Sequence, residues 1–357
     1  MGSGQLRPGG PRSEGAIPQR RIPQDWPADR CFRILSVDGG GIRGIFPATI
    51  LAELERRFGN GRHVGDYFDL VAGTSTGGIL ALGIGARIPA AELRDLYVTR
   101  GVEIFPEPKR SVLGRLRSVF RKGSHWFHHL YDRDALQAIL TEKLQDRLLG
   151  DSQSRLCIPA FDGKNSEVFV YKTPHHRDYK CDRYEKMLTA ALATSAAPTY
   201  FQPLKHGGHQ LVDGGVWANN PVMLAVIEAL ICWKVRPEQI DVLSLGCGED
   251  PYLLSNWQLG WGGKLFWGDS IFAAMRLQSM AATNQARLLL GPPSVIRLLP
   301  KSHQPPIELD DWRRSVDLLP QDALEALDAH VDRIGAMFFA EPAQPFVPVP
   351  AESTPAA

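Results

Sequence analysis

The chain has 357 residues, is 44% hydrophobic and 22% charged, and carries a formal net charge of +1. That length and apolar share allow one large α/β domain or two smaller ones around a sizeable core. The near-zero charge argues against a general binder of nucleic-acid polymers, and the lack of any run of about eighteen apolar residues argues against a transmembrane helix.

Residues 1–30 are rich in Gly, Pro, Arg and Gln and lack the apolar stretch of a secretory signal, so they read as a disordered N-terminal segment. Leu6 stands where a myristoylation motif needs Ser or Thr. Phe32–Val37 reads as a buried strand running into a glycine-rich loop. Ile50, Leu51, Leu54 and Phe58 then recur at helical spacing, with Pro47 in the first turn, where a missing N–H does no harm. Asp69–Ala72 predicts a second strand, and the small apolar residues after Ser75 predict a buried helix. Helices are expected over Ala90–Arg100 and Asp132–Leu148, the latter with Leu136, Ile139, Leu140, Leu144 and Leu148 on one face. Arg155–Phe161 and Glu167–Lys172 read as strands paired about the turn Gly163-Lys164-Asn165. Next come a helix at Tyr184–Thr194, a strand at His209–Val212, a helix at Pro221–Lys234 and a strand at Ile240–Leu245. A helix at Asp269–Leu290, a strand at Val295–Leu299 and a helix at Gln321–Phe339 follow. The tail 341–357, rich in Pro and Ala, reads as disordered. Strands alternating with helices imply an α/β fold, a mostly parallel sheet covered on both faces, in one domain over residues 31–340. Cys31, Cys157, Cys181, Cys232 and Cys247 are odd in number and lack zinc or redox spacing, which fits free thiols in a reducing cytoplasm and calls for no metal.

Three segments carry the chemistry. Gly73-Thr74-Ser75-Thr76-Gly77 lies between a strand and a helix, the pattern of a nucleophile elbow: small residues let the turn close and push the hydroxyl outward. Ser36-Val37-Asp38-Gly39-Gly40-Gly41-Ile42-Arg43-Gly44 follows the first strand. The N–H groups of Gly39, Gly40 and Gly41 can approach an oxyanion or a phosphate with no side chain in the way. It is neither a Walker loop nor a dinucleotide fingerprint. Arg43 either holds this loop, meets a substrate phosphate or pairs with a carboxylate. Leu211-Val212-Asp213-Gly214-Gly215-Val216-Trp217-Ala218-Asn219-Asn220-Pro221 is the third segment; taken alone, its Asp-Gly is equally a common turn.

Together, and in this order, the three segments resemble the patatin-like phospholipase family. Ala193-Thr194-Ser195-Ala196-Ala197-Pro198-Thr199-Tyr200-Phe201 is similar to the segment before the family's Asp-Gly-Gly. The resemblance spans about Phe32 to Leu245. It implies a three-layer fold and a Ser75–Asp213 dyad in which Asp213, rather than a histidine, activates the serine. Gly39, Gly40 and Gly41 would form the oxyanion hole, with Arg43, Gly73, Gly77, Gly214 and Gly215 in support and no metal or organic cofactor. The substrate implied is the acyl ester of a membrane glycerophospholipid, reached from the cytoplasm at the inner membrane. A carboxylate shielded from water gains basicity, so the chemistry is sound.

The compact length and the Trp-rich segment after Gly246 further resemble the phospholipase effectors of bacterial cyclic-oligonucleotide antiviral signalling (CBASS), which implies a cyclic dinucleotide activator. A constitutive acyl hydrolase and a non-catalytic lipid-binding or storage protein are the alternatives, and a homo-oligomer stays open. An ordinary α/β-hydrolase needs a histidine after its acid. Only His303, in a Pro-rich loop, and His330, in an expected amphipathic helix, follow Asp213; the pairs His128-His129 and His175-His176 precede it. Lys109 to Lys122 is basic and interleaved with Val112, Leu113, Leu116, Val119 and Phe120, which suits either an anionic membrane surface or a solvated helix. Trp257, Trp261 and Trp267 form a second candidate membrane contact. Arg110, Arg121, Lys122 and Trp126 are the candidates for nucleotide contact.

Overall fold

An eight-stranded sheet runs through the molecule in the computed structural model, which describes residues 21–106, 131–248 and 270–350. Its strands are β1 (Phe32–Val37), β2 (Leu70–Gly73), β3 (Leu156–Asp162), β4 (Glu167–Lys172), β5 (Leu204–His206), β6 (His209–Asp213), β7 (Ile240–Leu245) and β8 (Val295–Leu298). β3, β2, β1, β7 and β8 lie side by side and parallel, while β4, β5 and β6 run antiparallel to their neighbours. Such a parallel core must be covered on both faces. β1 accordingly alternates between two buried clusters: Leu35 and Val37 face one, Phe32 and Ile34 the other.

The first face carries α1 (Ile45–Phe58), α2 (Thr76–Gly85) and α3 (Ala90–Ile104). α4 (Asp134–Leu144) and α5 (Met187–Thr194) also pack on the first, while the second carries α7 (Val222–Cys232) and α8 (Ser270–Leu290), with the short α6 (Gly215–Ala218) leading into α7. α9 (Trp312–Asp328) and α10 (Val331–Phe338) return to the first face. The three-layer α/β expectation is met.

One detail of the sheet positions the site. β4 pairs with β3 along its whole length, so β2 and β6 must share the opposite edge of β3. β2 takes Leu156 and Cys157, then turns away at Gly73; β6 takes Ala160 to Asp162 beyond it, with Asp213 opposite Ala160. The end of β6 is thereby delivered beside the turn that leaves β2.

The structure corrects several expectations. The last helix begins at Trp312 rather than Gln321 and holds Pro320 inside it, then breaks before Val331. The Asp311 side chain caps its start by accepting from the Arg314 N–H at 3.1 Å. Burial of Leu319, Ala323 and Leu327 outweighs the one hydrogen bond that Pro320 removes. Residues 21–30 and 341–350 are packed rather than disordered. The Gln24 N–H donates to the Cys232 carbonyl at 2.8 Å, and Trp26 is buried against Phe32. The Ala343 and Val349 N–H groups donate to the Asp66 and Pro174 carbonyls at 2.7 and 2.8 Å. Proline restricts the unfolded chain, so an extended Pro-rich strap loses little entropy when a few such bonds dock it. The basic segment 109–122, Trp126, His128, His129, Trp257, Trp261 and Trp267 lie outside the described residues.

Candidate active site

Ser75 sits between β2 and α2 with φ 54° and ψ −120°, a conformation that a non-glycine residue holds only when its surroundings force it. The forcing contacts are visible. A Cβ on Gly77 would lie 2.2 Å from the Val37 carbonyl oxygen, and one on Gly73 would lie 2.0 Å from the Gly77 carbonyl oxygen. The backbones of β1, β2 and α2 thus meet with no room for a methyl group. The Ser75 N–H donates to Thr194 Oγ1 at 3.0 Å, whose own hydroxyl donates to the Pro159 carbonyl at 2.6 Å. Thr74 Oγ1 donates to the Ala218 carbonyl at 2.6 Å. Both threonines tie the elbow to the strands and helices around Asp213.

Asp213 ends β6, only 4% exposed, and lines the same cavity as Ser75. The Gly215 N–H donates to Asp213 Oδ1 at 2.6 Å, while Gly214 starts the short α6. Burial pushes the Asp213 pKa up to about 7, with nearby Ser75 and the Gly215 N–H opposing the rise. A carboxylate tuned near neutrality, in one cavity with a strained serine, can accept its proton.

The glycine loop forms a second wall. Gly41 has φ 56°, and a Cβ there would meet the Leu309 carbonyl oxygen at 2.4 Å, so only glycine fits. Gly39 departs from the expectation: its N–H donates to the Asn219 carbonyl at 3.0 Å and is not open to an oxyanion. The N–H groups of Gly40 and Gly41 make no hydrogen bond among the described residues, and both residues line the cavity above Ser75. The Thr76 hydroxyl donates at 2.9 Å to the Gly41 carbonyl, joining loop to elbow. Arg43 lines the same cavity, with Nη1 3.5 Å from the Ile307 carbonyl oxygen. Asp38 anchors the loop from behind through Arg297, at 2.5 and 2.8 Å, with both side chains buried.

The cavity holds about 350 Å³ and contains Ser75, Asp213, Gly40 and Gly41. Its other walls are largely apolar, among them Ile79, Ile104, Phe105, Leu136, Phe201 and Ile307. No histidine lines it among the described residues. His303 instead pairs with Asp322 at 2.7 Å, and His330 precedes α10, so neither completes an ordinary triad. His175 and His176 are buried elsewhere, on Glu228 and the Ile22 carbonyl.

Cys157, His175 and Glu228 could together offer three metal ligands. The Lys172 ammonium already lies 2.5 Å from Glu228 Oε2 and supplies the positive charge there. Burial works to raise the Glu228 pKa, but the His175 hydrogen bond and the Lys172 charge hold it well below the usual carboxylate range. Thr74, Thr194, Asn219, Asp38 and Arg297 had no assigned role from sequence. Only the first four stand in quoted motifs, and nothing local to Arg297 marks it.

A family profile described as patatin-like phospholipase matches residues 35–226. A cGAMP-activated phospholipase of Pseudomonas aeruginosa is 38% identical over 60% of this chain and 62% of its own length. One of Vibrio cholerae is 36% identical over 71% of this chain and 74% of its own. Patatin-like protein 2 of Oryza sativa is 35% identical over 61% of each chain. The matched part thus spans between about three-fifths and three-quarters of these relatives.

Proposed function

This chain belongs to the patatin-like phospholipase family, a family of carboxylic ester hydrolases, and from that premise we propose that it cleaves acyl esters of membrane glycerophospholipids through an acyl-Ser75 intermediate. The observation that carries the reading is that strained Ser75 and buried Asp213 line the same largely apolar cavity beside the Gly40-Gly41 loop. Asp213 takes the Ser75 proton as Oγ attacks the ester carbonyl. The Gly40 and Gly41 N–H groups receive the oxyanion, with the N-terminus of α2 adding its partial positive charge. Protonated Asp213 then gives its proton to the leaving alcohol. For deacylation the same carboxylate activates a water, and Ser75 recovers its proton when the acyl bond breaks. The apolar walls hold the acyl chain and keep water from the reacting centre.

The membrane reading draws on α8, which contributes Met275 and Ser279 to the cavity and leaves Leu277 62% and Leu288 87% exposed to solvent. No helix of the described residues is long and apolar enough to cross a membrane; in this reading the exposed leucines of α8 face lipid at the surface of the inner membrane. A cyclic dinucleotide switch is supported by the names of the relatives from Pseudomonas aeruginosa and Vibrio cholerae.

Ser75→Ala and Asp213→Ala should each lower hydrolysis of phospholipid vesicles and of a short-chain ester by at least about 1,000-fold, and the double variant should be scarcely worse, because the pair acts as one unit. Near-normal turnover by Asp213→Ala would refute the dyad. Full vesicle activity without nucleotide, and no response to one, would leave a constitutive acyl hydrolase.

A further inference from the structure

The helix that starts at the nucleophile has a second end. α2 runs from Thr76, next to Ser75, to Gly85 with every residue buried. Beyond it lies a second cavity, of about 240 Å³, lined by Arg62, Arg87, Arg155 and Ser154 and by residues 342–346 of the C-terminal strap. It sits where β2 and β3 begin, whereas Ser75 follows the end of β2.

The chemistry of this cavity is that of an anion receptor. Three guanidinium groups line it against one carboxylate, Asp66, which is already paired with Arg87. Arg155 Nη1 donates to the Asp69 carbonyl at 3.2 Å, and its guanidinium lies over the rings of Trp233 and Phe346 at 5.6 and 5.4 Å. A guanidinium held flat by aromatic rings presents its other N–H groups in a fixed fork, which suits phosphate oxygens. The Ser154 hydroxyl, on a residue only 3% exposed, has no hydrogen-bond partner among the described residues. A buried hydroxyl without a partner is costly unless a ligand or water meets it.

The strap forms one wall of the cavity. It is pinned on either side of Phe346, by the Ala343 N–H on the Asp66 carbonyl at 2.7 Å and the Val349 N–H on the Pro174 carbonyl at 2.8 Å. The volume lies below the roughly 300 Å³ at which ordinary small-molecule pockets begin. It therefore holds one phosphate with its immediate substituent, so a cyclic dinucleotide would seat one of its phosphates here and leave the rest outside.

The same wall touches α2. The Gln153 N–H donates to the Gly85 carbonyl at 2.9 Å, and a Cβ on Gly85 would meet Ser152 Oγ at 2.5 Å. At the other end Gly77 is packed as tightly against Val37. A rod without slack at either end passes displacement along its axis.

We propose that this cavity binds a phosphate-bearing ligand under the Phe346 strap, and that its occupancy reaches Ser75 through α2. The regulatory half rests on the nucleotide-switched hydrolase reading above; the binding half does not. Binding is measured by calorimetry on Ser75→Ala protein, which leaves the probes unhydrolysed, using inorganic phosphate, cyclic GMP-AMP and phosphatidylglycerol vesicles. At least one probe should bind, and Arg62→Glu and Phe346→Ala should each weaken it by 10-fold or more. Cyclic GMP-AMP as that probe identifies a free nucleotide as the source, and vesicles identify a lipid headgroup. No binding by any probe, or binding that neither variant weakens, overturns the site. In the protein with Ser75 intact, the ligand should raise hydrolysis of a soluble ester. Arg62→Glu should remove that rise while sparing the basal rate. Site-dependent binding that leaves the rate unchanged overturns the link through α2, and does so independently of the dyad test.

Discussion

Asp213→Asn separates the catalytic and structural consequences of burying a carboxylate. Burial raises the Asp213 pKa from 3.8 to about 7. A group whose folded-state pKa lies above its unfolded value contributes stability that is fully present below the unfolded pKa and is lost as pH rises through the folded one. At about 1.4 kcal/mol per pH unit, the native state is disfavoured by about 2 kcal/mol at pH 5 and about 4 kcal/mol at pH 8, relative to a neutral side chain at this position. Asparagine keeps an oxygen for the Gly215 N–H but never ionises. The variant should therefore gain stability over the wild type as pH rises from about 4 to 7, then level off, while losing hydrolysis. Urea denaturation at pH 4, 5, 6, 7 and 8 measures the gain. In parallel, wild-type kcat/KM on a soluble ester should fall about 10-fold per unit below pH 7 and flatten above it, since only the ionised carboxylate is a base. A stability difference that does not change with pH, or a kcat/KM profile flat from pH 5 to 8, would refute the argument that desolvation tunes this carboxylate.

Gly77→Ala places a methyl group 2.2 Å from the Val37 carbonyl oxygen, so it should lower unfolding free energy by about 3 kcal/mol, measured by denaturant melts, and cut turnover as the elbow shifts. Arg297→Ala strips buried Asp38 of its guanidinium partner and should cost about 3–5 kcal/mol, with kcat falling more than KM rises because the glycine loop loses its anchor. Reversing the charges of Arg115, Arg117, Arg121 and Lys122 should weaken flotation with anionic vesicles by about 1 kcal/mol for each residue at the surface, while hydrolysis of a soluble ester is spared.

How far the sequence reached depends on the range of the interaction. The strand-to-helix turn at Ser75 is local: the glycines at 73 and 77 are demanded by backbone approaches within one β-α-β unit, so the motif alone located it. The Asp213 segment was legible through family order, and the alternation of strands and helices through periodicity. What the sequence left undecided depends on contacts between distant segments. β6 takes the edge of β3 that β2 vacates, and this pairing brings Asp213 to Ser75. The rise of its pKa comes from burial, which no single segment encodes. Gly39 looks like its two neighbours in sequence, but its N–H is taken by the Asn219 carbonyl from across the fold. Arg297 carries no local mark, and only the parallel pairing of β7 with β8 sets it beneath Asp38. The ends misled for the same reason: composition predicts what a segment does alone, and the hydrogen bonds that dock 21–30 and 341–350 exist only once the core is built.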